Sequence, residues 1–386
     1  MRVVGFLRAT NLAILSVFNS EAFYLFLYFM GKIILENAFA QRLMNWYAEN
    51  HRDLPWRNTR EPYIIWLSEI ILQQTRVEQG LPYFLKFMDN FPNVRSLALA
   101  HEGEVMKNWQ GLGYYSRARN LHAAAKYIAF DCGGEFPNTY SELLKLKGVG
   151  AYTAAAIASF AFNEAVPVVD GNVYRFISRY LGIGMPIGTT KAQAHFIAIL
   201  KEWMPKEQAA LFNQATMEFG ALHCTPKQTK CMSCPFQLDC VAYQAKAVDN
   251  YPVKASKTKV KEVFYNFLII EHHTKVWMTQ RDDSGLWKRL WHFPLIETAY
   301  SMNAERLKIQ VADLLLLDQS DLQLEIDWQT IHLLSHRKIQ ARFWTIKSKH
   351  APNKNDIFGF SWSELEKLAL PQLMVKYLQH REDVGK

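Results

Sequence analysis

Four of the five cysteines in this 386-residue chain fall in one short segment with the spacing C-x6-C-x2-C-x5-C. Four thiolates in such a segment can surround an iron–sulfur cubane, each thiolate binding one iron. A tetrahedral zinc ion is the alternative, although zinc ribbons usually carry two C-x2-C pairs and this segment has one. An odd total of clustered cysteines argues against a secreted disulfide framework and favours a reducing compartment. The four candidate ligands are Cys224, Cys231, Cys234 and Cys240.

A second candidate element is a short turn in which Gly148 and Gly150 flank one apolar residue, between two helical patterns. The turn would present its amides at a helix N-terminus, an arrangement that binds phosphate through hydrogen bonds and the helix dipole. A single G-x-G is usually only a turn, but here it precedes the cysteine segment. The formal net charge of +8 weakly favours a polyanionic partner as well.

Two carboxylates lie in the same half of the chain, in contexts that allow ordinary structural roles. Glu69 falls in a helical pattern, where a single glutamate is most often solvated. Asp170 precedes Gly171 and Asn172 and could cap a helix. Taken alone, neither residue indicates catalysis.

Taken together, the glycine turn, the aspartate in residues 168–173 and the cysteine spacing resemble the endonuclease III superfamily of base-excision glycosylases. Three further runs, Leu54–Arg57, Trp66–Thr75 and Gly111–Asn120, resemble its MutY-type adenine glycosylases, and the resemblance extends from about residue 40 to the end. It implies an all-α helix-hairpin-helix domain with an iron–sulfur loop, followed by a separate α+β Nudix-like domain. The implied activity is hydrolysis of the N-glycosidic bond of adenine mispaired with 8-oxoguanine or guanine in double-stranded DNA. The implied cofactor is a [4Fe–4S] cluster.

The resemblance also implies roles for individual residues. Glu69 would protonate adenine N7, and Asp170 would stabilise the oxocarbenium-like sugar; glycoside hydrolysis commonly uses two carboxylates in this way. We expect Trp66, Ile70 and Ile71 to form the apolar pocket that such an acid needs. Tyr152 and Asn172 would border the sugar and the catalytic water.

Extrusion of the base from the stack requires further residues, because the scissile bond is unreachable inside the duplex. By resemblance, Gln74 and Tyr114 would fill the gap and hold the partner base. Gly148 and Gly150 would contact phosphate. The adenine pocket would include Arg52, Trp56, Arg57 and Gln214.

Tyr152 stands where bifunctional relatives carry the lysine that attacks the sugar. A phenol cannot form a Schiff base, so we expect little or no strand cleavage. Two alternatives stay open: a bifunctional enzyme acting on oxidised pyrimidines, and a catalytically silent cluster protein that binds DNA or senses redox state. Lys147 replaces the usual proline of the hairpin.

The pattern changes after the helical domain, which we assign to residues 37–245. Residues 246–262 are polar and basic and read as a linker. Residues 263–386 alternate in the manner of strands, resemble the Nudix-like domain that recognises 8-oxoguanine, and lack the clustered carboxylates of a nucleotide hydrolase. The family's Phe-Ser-His loop reads Leu334-Ser335-His336, so stacking at its first position is in doubt. We predict strands over 263–270, Lys275–Gln280 and Ile339–Ile346, and helices over Asn303–Leu317 and Trp362–Leu368.

Residues 1–36 are apolar, and Ala38–Ala40 resembles a signal-cleavage site. A signal or membrane anchor is one interpretation. An upstream extension, with Met30 as the true start, is the other, and the cytoplasmic character of the cysteine motif favours it. We therefore expect a cytoplasmic, nucleoid-associated monomer with no stable membrane association.

Overall fold

The architecture comes from a computed structural model, which describes residues 38–255, 260–282, 285–334, 336–347, 350–352 and 354–385. The leader expected over residues 1–36 lies outside the described residues. The first strand begins at Lys261, and helices precede it. The expectation of a helical domain followed by a separate sheet-containing domain is confirmed.

The helical half contains one break that hydrophobic spacing does not reveal. The helical spacing of Trp66, Ile70, Val77 and Leu81 in the sequence predicts one continuous helix that ends at Pro82. This prediction is wrong: the chain turns at Gln74, whose φ is 54°, and Pro82 lies inside the next helix. After α1 over residues 38–50, the α-helices are α2 Pro62–Leu72, α3 Val77–Asn90, α4 Val94–Leu99, α5 Glu102–Asn108, α6 Ser116–Lys126, α7 Tyr140–Leu143, α8 Ala151–Phe162, α9 Gly171–Leu181, α10 Thr190–Trp203, α11 Ala209–Leu222 and α12 Val241–Gln244.

The chain divides into two compact units. The first comprises the described residues up to Glu61, Asn138–Leu143 and Ala151–Ala255. Its core is aromatic, with rings from α1, α9 and α11 meeting one ring of the cysteine segment. The predicted linker begins inside this unit, because Arg179 Nε donates to the carbonyl oxygens of Val248 at 3.0 Å and Tyr251 at 3.1 Å. The rings from α1, α9, α11 and the cysteine segment that contact one another in this core are Phe39, Phe176, Phe219 and Phe236.

The second unit comprises Pro62–Pro137, Leu144–Gly150 and the described residues from 260 onward. It holds helices α2–α6, the glycine turn and the C-terminal sheet. Trp66 and Trp109 are fully buried in its helical part. In its C-terminal part, Phe343 and Tyr377 stack with ring centres 4.3 Å apart.

The C-terminal sheet is mixed. β1 pairs in parallel with β6 and antiparallel with β4, while β5 and β6 pair antiparallel, and the predicted recognition loop falls between these two strands in the sequence. Burial alternates along β6 up to Phe343, but the next residue, Trp344, is buried as well, so both faces of this strand pack against apolar side chains. The strands are β1 Lys261–His272, β2 Lys275–Gln280, β3 Trp291–His292, β4 Leu295–Thr298, β5 Gln323–Leu333, β6 Arg337–Lys347 and β7 Ile357–Phe360.

Two further helices, α13 Ala304–Leu315 and α14 Gln372–Asp383, complete the C-terminal domain. The predicted helix over Trp362–Leu368 is a 3-10 helix over Trp362–Lys367. Within the stretches of chain that the structure describes, no helix is both long enough and apolar enough to span a bilayer.

Candidate functional site

Glu69 lies in the middle of α2 and is only 7% exposed. The side chains expected to form its apolar pocket, Trp66, Ile70 and Ile71, are each no more than 2% exposed. The helix is apolar along its central turns, so the single carboxyl group is withdrawn from bulk water. Withdrawal from bulk water is one of the conditions that a general acid needs.

Asp170 caps α9, as the structural interpretation of the sequence anticipated. Its Oδ1 accepts hydrogen bonds from the backbone N–H groups of Asn172 at 2.9 Å and Val173 at 2.8 Å, and its Oδ2 accepts from Asn172 Nδ2 at 2.7 Å. Burial raises the pKa of Asp170, although these hydrogen bonds and the nearby Arg175 act in the opposite direction. The cap orients the carboxylate, and capping therefore does not compete with a catalytic role.

A hydrogen-bonded path joins Asn172 to the cysteine segment inside the first unit. Arg175 Nη2 donates to Asn172 Oδ1 at 2.8 Å, and Arg175 Nε donates to the carbonyl oxygen of Cys224 at 2.7 Å. α11 packs closely against Asn172 as well, because a Cβ added at Gly220 would lie 2.5 Å from the backbone oxygen of Asn172. The start of α9 is thus fixed from two sides.

The glycine turn has the geometry that its sequence predicts. Gly148 adopts φ 82°, and a Cβ there would lie 2.6 Å from Asn120 Cβ, so only glycine fits without strain. Val149 is buried while Gly148 and Gly150 are exposed, and α8 begins at the next residue. The turn therefore offers exposed backbone at a helix N-terminus. Tyr152, the second residue of α8, is partly exposed.

Gln74 and Tyr114 share an unusual backbone conformation. Each is a non-glycine residue with positive φ, 54° for Gln74 and 48° for Tyr114. Gln74 is exposed, and Tyr114 is 48% exposed despite its apolar ring. Both side chains are therefore carried on tight turns and project from the second unit.

Two of the predicted adenine-pocket residues, Arg52 and Arg57, are brought together by a carboxylate that the sequence analysis did not identify. Glu218, whose side chain is 1% exposed, binds Arg52 Nη2 at 2.7 Å and Arg57 Nη2 at 2.6 Å. One turn earlier on α11, Gln214 Oε1 accepts a hydrogen bond from Tyr47 at 2.8 Å. A lone acidic residue in the otherwise uncharged α11 was the available signal.

The charges around Glu218 determine its protonation. Burial alone would raise the pKa of Glu218, but hydrogen bonds and charge from Arg57 and Arg52 outweigh it and hold the pKa at about 2. The carboxylate is therefore ionised at neutral pH. Trp56, between the two arginines in sequence, is 7% exposed.

The four clustered cysteines line one small cavity in the first unit. Arg179 closes it on one side, with Nη1 3.5 Å from Cys224 Sγ and its backbone oxygen 3.4 Å from Cys240 Sγ. An all-thiol donor set around a shared cavity fits an iron–sulfur cluster, in which each thiolate binds a different iron. In the part of the chain that the structure describes, no three histidine, cysteine, aspartate or glutamate side chains are grouped to hold a single metal ion.

A cavity of about 430 Å³ lies within the second unit, between the turn carrying Tyr114 and the C-terminal sheet. Its volume is in the range of small-ligand pockets. Leu334 and His336 of the predicted recognition loop line it, together with Trp287. Ser335, the middle residue of that loop, lies outside the described residues.

Comparisons with known proteins agree with this arrangement. A family described as HhH-GPD superfamily base excision DNA repair protein matches residues 67–205, and a NUDIX domain family matches residues 265–380. An adenine DNA glycosylase of Buchnera aphidicola is 38% identical over 66% of this chain and 73% of its own. One of Mus musculus is 32% identical over 90% of this chain and 78% of its own. The solved structure of a thermostable thymine-DNA glycosylase aligns with TM-score 0.51 and 28% identity, covering 56% of this chain and 99% of its own.

Proposed function

This chain belongs to the adenine DNA glycosylase family, and from that premise we propose that it excises adenine mispaired with 8-oxoguanine or guanine in double-stranded DNA. As a member of the family, it is a base-excision repair enzyme that hydrolyses the N-glycosidic bond of adenine. The observation that carries the mispair specificity is the second unit's cavity, where Tyr114 and His336 line a common surface. The proposed location is the cytoplasm, with the enzyme acting as a monomer.

Glu69 and Asp170 are the proposed catalytic pair. Adenine is a poor leaving group until it is protonated, and the sugar then develops positive charge. Glu69, withdrawn from water in α2, donates the proton to N7. Asp170, oriented by its cap to α9, stabilises the cation, and Asn172 and Tyr152 border the sugar and the attacking water.

The residues around Glu218 form the proposed adenine pocket. Arg52, Arg57 and Gln214 would contact the extruded base directly or through water, and Trp56 would supply an apolar wall. Their hydrogen bonds to neighbours within the unit support this proposal, because a pocket that is organised before binding spends less binding energy on ordering its side chains.

Gln74 and Tyr114 are the proposed groups that occupy the stack when adenine leaves it. Their exposure and their fixed turns support this role. Gly148 and Gly150 would bind the backbone phosphate near the lesion through their amides and the helix dipole. On the base opposite the extruded adenine, His336 and Ser335 would hydrogen-bond to 8-oxoguanine, while Leu334 offers only apolar contact.

We propose that the four cysteines hold a [4Fe–4S] cluster; members of this superfamily generally carry one. When bound, the cluster would crosslink the segment from Cys224 to Cys240. Iron and acid-labile sulfide analysis of purified protein tests the proposal: about four of each per chain is expected for this cluster type. Zinc in place of iron would overturn it.

A glycosylase assay on a panel of duplexes tests the proposed specificity. We expect adenine release from duplexes with A:8-oxoguanine and A:G, and none from A:T or thymine-glycol duplexes. Release from A:T at the same rate would contradict the mispair assignment. Borohydride treatment during turnover should trap no covalent adduct, because Tyr152 cannot form a Schiff base; a trapped adduct would favour the bifunctional alternative.

A further inference from the structure

Arg117 is a buried arginine near the start of α6 that the catalytic proposal does not use. It is 8% exposed, and its side chain reaches the C-terminal end of α2. There Nη1 donates to the carbonyl oxygens of Ile70 at 3.1 Å and Ile71 at 2.8 Å. These are carbonyls that a helix end leaves without partners inside the helix. Burial lowers the pKa of Arg117 to about 10, which leaves the guanidinium charged at neutral pH.

The same guanidinium also makes hydrogen bonds to the turn that follows α2. Nη1 also donates to the carbonyl oxygen of Gln73, and Nη2 lies 3.3 Å from Thr75 Oγ1. Its contacts therefore bracket Gln74, whose φ of 54° is disfavoured for a side-chain-bearing residue.

Arg117 also contacts the second turn. Nη2 donates to the carbonyl oxygen of Gly113 at 3.3 Å, and the guanidinium carbon lies 5.4 Å from the ring centre of Tyr114. The ring centre of Trp109 lies 5.1 Å from the same guanidinium carbon, and Trp109 Nε1 donates to the carbonyl oxygen of Gly113 at 2.9 Å. Tyr114 has a φ of 48°, so the second turn holds a disfavoured conformation too.

Two exposed residues in disfavoured backbone conformations thus share one buried cation. Such conformations persist only when surrounding contacts enforce them, and they concentrate at functional sites. We propose that Arg117 is a positioning residue that holds Gln74 and Tyr114 in place as a pair, ready to enter the DNA stack when adenine is extruded. This inference rests on the proposed role of those two residues in extrusion.

A purely structural role for Arg117, as a cap for α2, makes different predictions from the positioning role. Lysine keeps the charge but lacks the planar fork that reaches several acceptors at once. Arg117→Lys should therefore preserve folding and release the two turns from each other. Lys126→Gln, an exposed change on the same helix, is the matched control.

The first experiment is a single-turnover adenine-release assay with enzyme in excess over an A:8-oxoguanine duplex, so that the rate constant does not depend on the folded fraction. For Arg117→Lys we expect a rate constant about 10- to 100-fold lower, the loss typical of a misplaced positioning group. In a duplex with 2-aminopurine opposite 8-oxoguanine, the fluorescence rise that marks unstacking should slow by a similar factor. A wild-type rate and a wild-type fluorescence rise would overturn the proposal.

The second experiment asks whether Arg117 acts through the two exposed residues. In a Gln74→Ala, Tyr114→Ala background, adding Arg117→Lys should lower the rate much less than it does in the wild type, because the groups it positions are gone. An undiminished further loss would show a structural role and overturn the proposal. Absence of adenine release by wild-type enzyme would instead refute the proposed function, so the two failures are distinguishable.

Discussion

The ion-pair cluster around Glu218 gives the sharpest prediction about stability. One buried carboxylate accepts five hydrogen bonds: two each from the guanidinium groups of Arg52 and Arg57, and one from the Arg52 backbone. Glu218→Gln keeps the shape of the side chain but removes its charge. Two partly buried guanidinium groups would then face each other without a counter-charge.

The size of the effect follows from the pKa of Glu218. The difference between its ordinary value of 4.5 and about 2, at about 1.4 kcal/mol for each pH unit, corresponds to about 3 kcal/mol. Removal of one partner from a buried ion pair typically costs about 3–5 kcal/mol, which agrees. We therefore expect Glu218→Gln to destabilise the first unit by about 3 kcal/mol near neutral pH.

The pH dependence has a definite sign. Because folding lowers the pKa of Glu218, its contribution is complete above the unfolded value of about 4.5 and disappears as pH falls toward 2. The stability difference between wild type and Glu218→Gln should shrink by about 1 kcal/mol at pH 4 and about 2 kcal/mol at pH 3. Other carboxylates titrate in both proteins, so their contributions to the free energy of unfolding cancel in the difference.

Hydrogen exchange measured peptide by peptide in increasing urea can isolate the first unit, since two compact units need not unfold in one step. Glu207→Gln, an exposed change in the same unit, is the matched control and should alter stability by no more than about 0.5 kcal/mol. A loss below about 1 kcal/mol for Glu218→Gln, or a difference that does not change with pH, would refute the reasoning, because surface ion pairs behave in that way.

Three further predictions follow from close contacts and charge. Gly220→Ala places a Cβ 2.5 Å from the backbone oxygen of Asn172, so the single-turnover rate should fall about 10- to 100-fold with DNA affinity nearly unchanged; a wild-type rate would contradict this. Gly148→Ala combines a positive φ with a 2.6 Å contact to Asn120, so filter binding should show weaker affinity for all duplexes, matched or mispaired; unchanged affinity would exclude the turn from the interface. The logarithm of DNA affinity should fall with the logarithm of salt at about 0.9 per phosphate neutralised, and a flat response would contradict phosphate binding.

The helical domain and several C-terminal elements could be predicted from the sequence, because their apolar spacing is regular. The predicted strand Lys275–Gln280 coincides with β2. β5 was not among the predicted strands, although Leu324, Ile326 and Trp328 alternate with polar residues there in the manner of a strand. The break at Gln74 escaped prediction as well, since no glycine or proline marks it and distant contacts from Arg117 hold it.

The residues of the candidate site likewise fall into those that the sequence indicates and those that it does not. Glu69, Asp170 and the cysteines could be named because local motifs surround them. Glu218 and Arg117 could not be named, because their importance depends on partners far away in the sequence, and one sequence does not show which buried charge meets which acceptor. A lone acid in an otherwise uncharged helix is a useful signal for such positions, although it does not identify the partner.

The most direct test of the central claim compares adenine release by the wild-type enzyme and by Glu69→Gln, in single turnover on an A:8-oxoguanine duplex. The amide keeps the size of the side chain and cannot donate an acidic proton. We predict that Glu69→Gln still binds the mispaired duplex but releases adenine at least about 100-fold more slowly, the scale of general-acid catalysis. Release by Glu69→Gln at the wild-type rate would contradict the assignment of Glu69 as the acid that frees the base.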